Sequence, residues 1–98
     1  MPELTGKQRR HLRALGHHLD ALLQIGHEGI TDAVVAQANA QLSKHELVKV
    51  KVLESSPQDR HEAAEALSER TGAALAQVLG RTFLLYKPDP QDPRIELP

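Results

Sequence analysis

Leu47-Val48-Lys49-Val50-Lys51-Val52-Leu53 is the stretch on which the fold turns. Its alternation puts Val48, Val50 and Val52 on one face and Lys49 and Lys51 on the other, the pattern of a strand with one covered and one partly wet face. Upstream, Ala21 to Ile25 is an apolar run of strand length that leads into the glycine-bounded turn Gly26-His27-Glu28-Gly29. Between the two strands Thr31 offers an N-cap, Asp32 suits the first helical turn, and Val34, Val35, Ala38 and Leu42 recur at helical spacing until Ser43 to His45. A helix between two strands implies a parallel pair joined by a right-handed crossover.

The flanks complete the pattern. Thr5 with Gln8 three residues on forms a T-x-x-Q capping box, which predicts a first helix from Thr5 to about Leu19. Gln8, Leu12, Leu15 and Leu19 form its inward stripe, and Arg9, Arg10, Arg13 and His17 surround the opposite side with Lys7 at the edge. Ser56 as cap and Pro57 at the first helical position open a third helix. Its Ala63, Ala64, Leu67 and Thr71 turn inward, the small alanines bring it close to the sheet, and Gly72 stops it. Leu75 to Leu79 and Thr82 to Tyr86 form a hairpin on Gly80-Arg81, a pair suited to a type II′ turn. The predicted fold class is α/β, a four-stranded mixed sheet with three helices in the order α-β-α-β-α-β-β. Residues 1–87 form a single domain. Residues 88–98, with Pro88, Pro90, Pro93 and Pro98 among scattered acids, are a Pro-rich acidic tail expected to be disordered.

Composition narrows the function. A chain of 98 residues, 40% hydrophobic and 26% charged, fits one small domain. Without cysteine there is no disulfide, thiolate nucleophile or Cys-ligated zinc. The six histidines show no metalloprotease spacing, and neither a nucleophile elbow nor a P-loop ending occurs. The expectation is a non-enzyme with no catalytic residue, metal, cofactor or small-molecule substrate. No apolar run has the length of a signal peptide or a membrane span, so a soluble, cytoplasmic protein is expected; the sequence leaves the oligomeric state open, with a monomer as the expectation. Phe83 and Tyr86 are the only aromatics, which removes the base-stacking platform of many single-strand binders and leaves the nucleic-acid backbone as the feature to grip. The net charge of -1 hides an asymmetry. Lys7, Arg9, Arg10 and Arg13 crowd the start with no acid between Lys7 and His18, while Glu54, Asp59, Glu62, Glu65 and Glu69 populate a later segment. One basic and one acidic face are expected. The glycine turn ahead of a helix start offers backbone amides to a phosphate, Lys49 and Lys51 project from the neighbouring strand, and Arg81 sits on the hairpin turn.

Five blocks in order then carry a resemblance: Leu4-Thr5-Gly6-Lys7-Gln8-Arg9-Arg10, Gln24-Ile25-Gly26-His27-Glu28-Gly29-Ile30-Thr31, His45-Glu46-Leu47-Val48-Lys49-Val50-Lys51-Val52, Arg60-His61-Glu62-Ala63-Ala64-Glu65-Ala66-Leu67 and Gln77-Val78-Leu79-Gly80-Arg81-Thr82. Over residues 4 to about 87 the chain resembles the bacterial stand-alone form of the CRM (chloroplast RNA splicing and ribosome maturation) domain, the YhbY family. The resemblance implies an RNA-binding domain whose fold is similar to the C-terminal domain of translation initiation factor 3, with a G-x-x-G loop likened to that of KH domains. It implies ribosomal RNA, or the precursor particle of the large ribosomal subunit, as the partner. By position the family loop falls on Gly26, His27, Glu28 and Gly29, its basic first helix on Lys7, Arg9 and Arg10, and its hairpin arginine on Arg81. Arg13, Lys49 and Lys51 extend the expected surface.

Family members often carry a basic or small polar residue inside the loop, where this chain has His27 and Glu28. A carboxylate opposes a phosphate, so the loop contact depends on Gly26 and Gly29. Gly29→Asp is therefore expected to impair RNA binding while leaving the fold largely intact. The alternative is a protein-interaction module docking on a ribosomal protein or assembly factor, which the near-zero net charge and the acidic third helix favour.

Overall fold

A computed structural model describes residues 3–98, so Met1 and Pro2 of the expected domain lie outside the described residues. Seven elements follow in the expected order: α1 (Gly6–Gly16), β1 (Ala21–Ile25), α2 (Asp32–His45), β2 (Leu47–Val52), α3 (Arg60–Thr71), β3 (Ala74–Leu79) and β4 (Thr82–Tyr86). The strands form one mixed sheet in the spatial order β1-β2-β4-β3. β1 and β2 are parallel, as the intervening α2 requires, and β4 runs antiparallel between β2 and β3.

The two faces of the sheet are covered by different helices. Val48, Val50, Val52, Phe83 and Leu85 meet Ala38 and Leu42 of α2 and Ala63, Ala64 and Leu67 of α3 in the larger apolar cluster. Leu47, Leu84, Tyr86 and Ala76 meet Leu12 of α1 on the opposite side. The result is three layers: α1, the sheet, and the α2–α3 pair. Ala63 and Ala64 are fully buried, so α3 does lie close on the strands.

Helix ends follow local chemistry. Thr5 and Gln8 close the expected capping box, the Gln8 amide donating to Thr5 Oγ1 (3.1 Å) and the Thr5 amide to Gln8 Oε1 (3.0 Å). Thr31 caps α2, and Gly72 ends α3 in the left-handed conformation at φ 75°. Two ends differ from expectation. α1 stops at Gly16, not Leu19, because the chain tightens there: His18 and Leu19 donate to the carbonyls three residues back. Gly16 packs on Leu84 so closely that an added Cβ would stand 2.8 Å from Leu84 Cδ2. The inward line is therefore Leu12 and Gly16, and Leu15 and Leu19 remain on the surface. The cap of α3 is Asp59, not Ser56. The Ser56 hydroxyl is spent on the Gln58 carbonyl (2.8 Å), whereas Asp59 accepts the His61 and Glu62 amides (both 2.9 Å) and its own amide donates to Glu62 Oε1 (3.2 Å). This second capping box moves the helix start to Arg60.

The Pro-rich tail forms no helix or strand and lies against the domain through Glu46. Glu46, at φ 60° and fully buried, faces it across the end of α2. Its carboxylate accepts the backbone amides of Asp89 (2.6 Å), Arg94 (2.8 Å) and Ile95 (2.9 Å), and its carbonyl accepts the Lys87 amide (2.8 Å). The Arg94 guanidinium donates to the carbonyls of Ser43 (2.9 Å) and Lys44 (2.5 Å), which α2 leaves without helical partners. Ile95 and Leu97 pack on the α1-side cluster.

Burial alone would raise the Glu46 pKa, but the three amide hydrogen bonds and the Arg94 charge outweigh it and hold the carboxyl below its ordinary value. A depressed carboxylate stabilises the fold above its unfolded pKa, about 4.3 for glutamate, and loses that contribution as pH falls through the folded value. Acid titration by NMR is expected to show the Arg94 and Ile95 amide signals leaving their folded positions only below about pH 4.3. Signals already averaged at pH 6 would contradict the clasp.

Candidate nucleic-acid interface

Lys7, Arg9, Arg10 and Arg13 are all exposed on α1, and among the described residues none pairs with a carboxylate. The first turn of α1 contains no acid, and Lys7 stands where the helix dipole is positive. That placement costs about 0.3 kcal/mol or more of helix stability. Arg13, in the last turn, suits the helix dipole, but none of the four is held by an acid, and the set is available to an external anion.

Lys49 and Lys51 lie on the same side of the sheet. Lys49 pairs with Leu84 and Lys51 with Thr82 across the β2–β4 ladder, which puts both on the face that Leu84 shares with α1. Lys51 is exposed and Lys49 half-buried. On the other side, α3 exposes Glu62, Glu65 and Glu69, and Asp32 of α2 pairs with Arg70. The sheet thus separates the α1 and β2 cations from Glu62 and Glu65, while Glu69 meets Arg9 at a shared cleft, so the near-neutral total conceals a directional surface.

The glycine turn sits elsewhere. The Gly29 amide donates to the Gly26 carbonyl (3.0 Å), so that donor is spent inside the turn, and the Val34 amide is taken by Thr31 Oγ1 (3.1 Å). Gly29 has φ 70° and is buried against the β2–α3 loop, where an added Cβ would stand 2.9 Å from Pro57 Cγ and collide with the Gln58 side chain. Gly26 has room for a Cβ, its nearest neighbour lying 3.8 Å away. His27 and Glu28 are exposed at the tip. The expectation that Gly29→Asp spares the fold is therefore corrected: a side chain there meets both positive φ and occupied space. Thermal unfolding of Gly29→Asp is expected to reveal a loss of roughly 2 kcal/mol, whereas Gly26→Ala should unfold like the parent.

Arg81 stands on the hairpin turn, where Gly80 alone supplies positive φ (58°), and it pairs with Glu54 at 2.5 Å. Both partners are largely exposed, so the pair contributes little to stability and can yield to a phosphate. The turn at Gly26–Gly29, the β2–α3 loop and the hairpin meet at one end of the strands, tied by Leu53 amide to Ile25 carbonyl (2.9 Å) and Val52 amide to Arg81 carbonyl (2.7 Å). Arg60 also lies there, donating to the Gly80 carbonyl (2.9 Å). Sequence reasoning missed it, although its place directly after the Asp59 cap was the available signal. A cleft of about 630 Å³ opens among Ser56, Gln58, Arg60, His61 and Arg81, with Glu54, Asp59 and Glu62 as its acids.

Arg9 does not reach this end. It lines a shallow cleft with Ser68, Glu69 and Gly72 at the C-terminal end of α3, while Pro57 and Gln58 precede that helix. The 12 residues of α3 span about 18 Å. Arg9 and the glycine turn are therefore separate contact regions, with Lys51 between them on the central strand β2.

The family follows from comparison. Residues 4–87 match the CRS1 / YhbY (CRM) domain. The chain belongs to the CRS1/YhbY (CRM) domain family. Probable RNA-binding protein YqeI of Bacillus subtilis is 41% identical over 95 residues, covering 97% of this chain and 99% of that protein. An RNA-binding protein of Haemophilus influenzae is 35% identical over 98 residues, covering 100% and 98%. The solution structure of a hypothetical Staphylococcus aureus protein ascribed to RNA binding is 43% identical, covers 97% of this chain and 99% of its own, and superposes with a TM-score of 0.82. In this CRM domain the matched region ends at Lys87, so the Glu46 clasp joins the family region to the tail that follows it.

Among the described residues no helix is long and apolar enough to cross a membrane, and no three His, Cys, Asp or Glu side chains stand together as metal ligands.

Proposed function

We propose that the protein binds structured ribosomal RNA during assembly of the large ribosomal subunit, without catalysing a reaction. The observation that carries this reading is the sidedness of charge: Lys7, Arg9, Arg10, Arg13, Lys49 and Lys51 share one side of the sheet, with Glu62 and Glu65 of α3 on the other. Relatives named as RNA-binding proteins match it along almost their full length. Docking is electrostatic. The α1 and β2 cations take phosphates, and the strand end carrying the glycine turn, Arg60 and Arg81 meets the RNA as a second region. The turn contributes mainly shape, because Gly29 has spent its amide and Glu28 repels phosphate. The sheet is about 14 Å wide across its three strand spacings, and the length of α3 further separates Arg9 from the glycine turn, a span that suits a folded RNA more than a single nucleotide.

Crosslinking in cells followed by sequencing of the attached RNA tests the proposal. Recovery of large-subunit ribosomal RNA or its precursor is the expected result. An association with pre-ribosomal particles that survives nuclease treatment, with no RNA attached, would replace this reading with docking on a ribosomal protein or assembly factor.

A further inference from the structure

Three exposed leucines of the CRM domain lie together. Leu15, Leu19 and Leu22 are 40%, 38% and 47% exposed, and all three line one cleft of about 470 Å³ formed by the end of α1 and the residues after it, the start of β1, the end of α2, the start of β2 and Ile95 of the tail. Single exposed apolar side chains are ordinary, whereas a grouped set marks a surface that something covers. Lys49, His18 and His45 also line the cleft, with Asp20 as its acid.

We propose that this cleft receives an unpaired nucleobase of the bound RNA, with the adjoining phosphates on Lys49 and Lys51. The inference rests on the RNA-binding reading and adds the place where a base, as opposed to the backbone, is held. A base has apolar faces and a polar edge. Leu15, Leu19 and Leu22 offer apolar walls, and the His18 and His45 rings offer nitrogen donors and acceptors for the edge. The cleft volume lies in the range of small-ligand sites, of order 300 to 1,000 Å³. Charge complementarity points the same way. Lys49 is half-buried where it lines the cleft, and Lys51 projects from the same sheet face two residues on. Phe83 and Tyr86 are buried, so the exposed rings of this protein are histidines, and two of them, His18 and His45, line the cleft. The base must be unpaired, because a paired base in an A-form helix presents no free face to a cleft.

The test uses the full chain, two RNAs with the same paired stem, one closed by a single-stranded loop and one blunt, and a 2-aminopurine base placed in the loop. The variants are Leu15→Ser with Leu22→Ser, and separately Leu19→Ser, each checked by thermal unfolding. The expected result is that affinity for the looped RNA falls about tenfold, to the level of the blunt stem, while stem binding is unchanged. The aminopurine fluorescence change seen with the parent should be lost in both variants. Equal loss on both RNAs, or no loss on the looped one while the parent binds both, overturns the cleft and leaves the RNA-binding reading standing. An unchanged RNA affinity with loss of a helical protein partner overturns it equally. Failure of the parent to bind either RNA overturns both.

Discussion

Replacing Arg9, Arg10 and Arg13 together by alanine is expected to weaken binding to structured RNA by about 100-fold at physiological salt, a loss of about 2.7 kcal/mol. The magnitude follows from three charge-assisted contacts, each contributing about 1 kcal/mol once the competition of water and counterions is counted. All three side chains are exposed and none is paired with an acid among the described residues. Alanine is the better helix former, so thermal stability should hold or rise slightly. Affinity and stability therefore separate in this variant. The salt dependence carries a second signature, because each phosphate contact removed should lower the slope of log K against log salt by about 0.7 to 0.9. A variant that binds as tightly as the parent, with the same slope, would remove α1 from the interface.

Glu46→Ala is expected to destabilise the domain by roughly 3 kcal/mol, the largest effect of any single substitution considered. The carboxylate is the shared acceptor of three amides from the tail, and its removal leaves Asp89, Arg94 and Ile95 with part-buried donors and no protein partner. The Arg94 guanidinium, placed on the last carbonyls of α2, loses its nearby countercharge. For a domain of this size the melting temperature should fall by roughly 12 °C or more. Glu46→Gln is the informative companion. Its Oε1 can still accept from Arg94 and Ile95, but its amide nitrogen turns a donor toward the donor of Asp89. An intermediate loss is expected, without the acid transition that the ionised carboxylate brings. If Glu46→Ala unfolds at the parent temperature, the tail is not part of the folding unit.

Much of this architecture is legible from the residues alone, because it is written in local chemistry. The alternation of Leu47 to Val52 specifies a strand and its faces, Thr5 with Gln8 specifies a helix start, and Gly80 specifies the hairpin turn. What escapes is what depends on distant partners. Ser56-Pro57 and Asp59 with Glu62 are both acceptable starts for α3, and the choice falls to Asp59 because Ser56 is engaged in the preceding turn. Leu15 and Leu19 fit a helical stripe, but contact with Leu84 puts Gly16 at the inward position and leaves both leucines outside. Glu46 reads as a surface acid between a helix and a strand. Its burial is decided by amides 43 to 49 residues further on, which no local pattern can show.

The candidate interface divides in the same way. The cations of α1 are apparent as a run free of acids, and the pairing of Lys49 with Leu84 adds that β2 presents its lysines on the same side. The glycine turn stands out in the sequence for its G-x-x-G spacing. In the fold, Gly29 answers mainly to a conformational and packing demand, a positive φ against Pro57 and Gln58. Weight therefore passes from the turn to the helix and strand cations.

An NMR titration of the isotopically labelled protein with a large-subunit ribosomal RNA fragment tests the central claim most directly. The expected result is that amide signals of α1 and of Lys49 and Lys51 shift, that those of the exposed side of α3 do not, and that the shifts recede as salt is raised. Shifts concentrated on Glu62, Glu65 and Glu69, or shifts indifferent to salt, would contradict it.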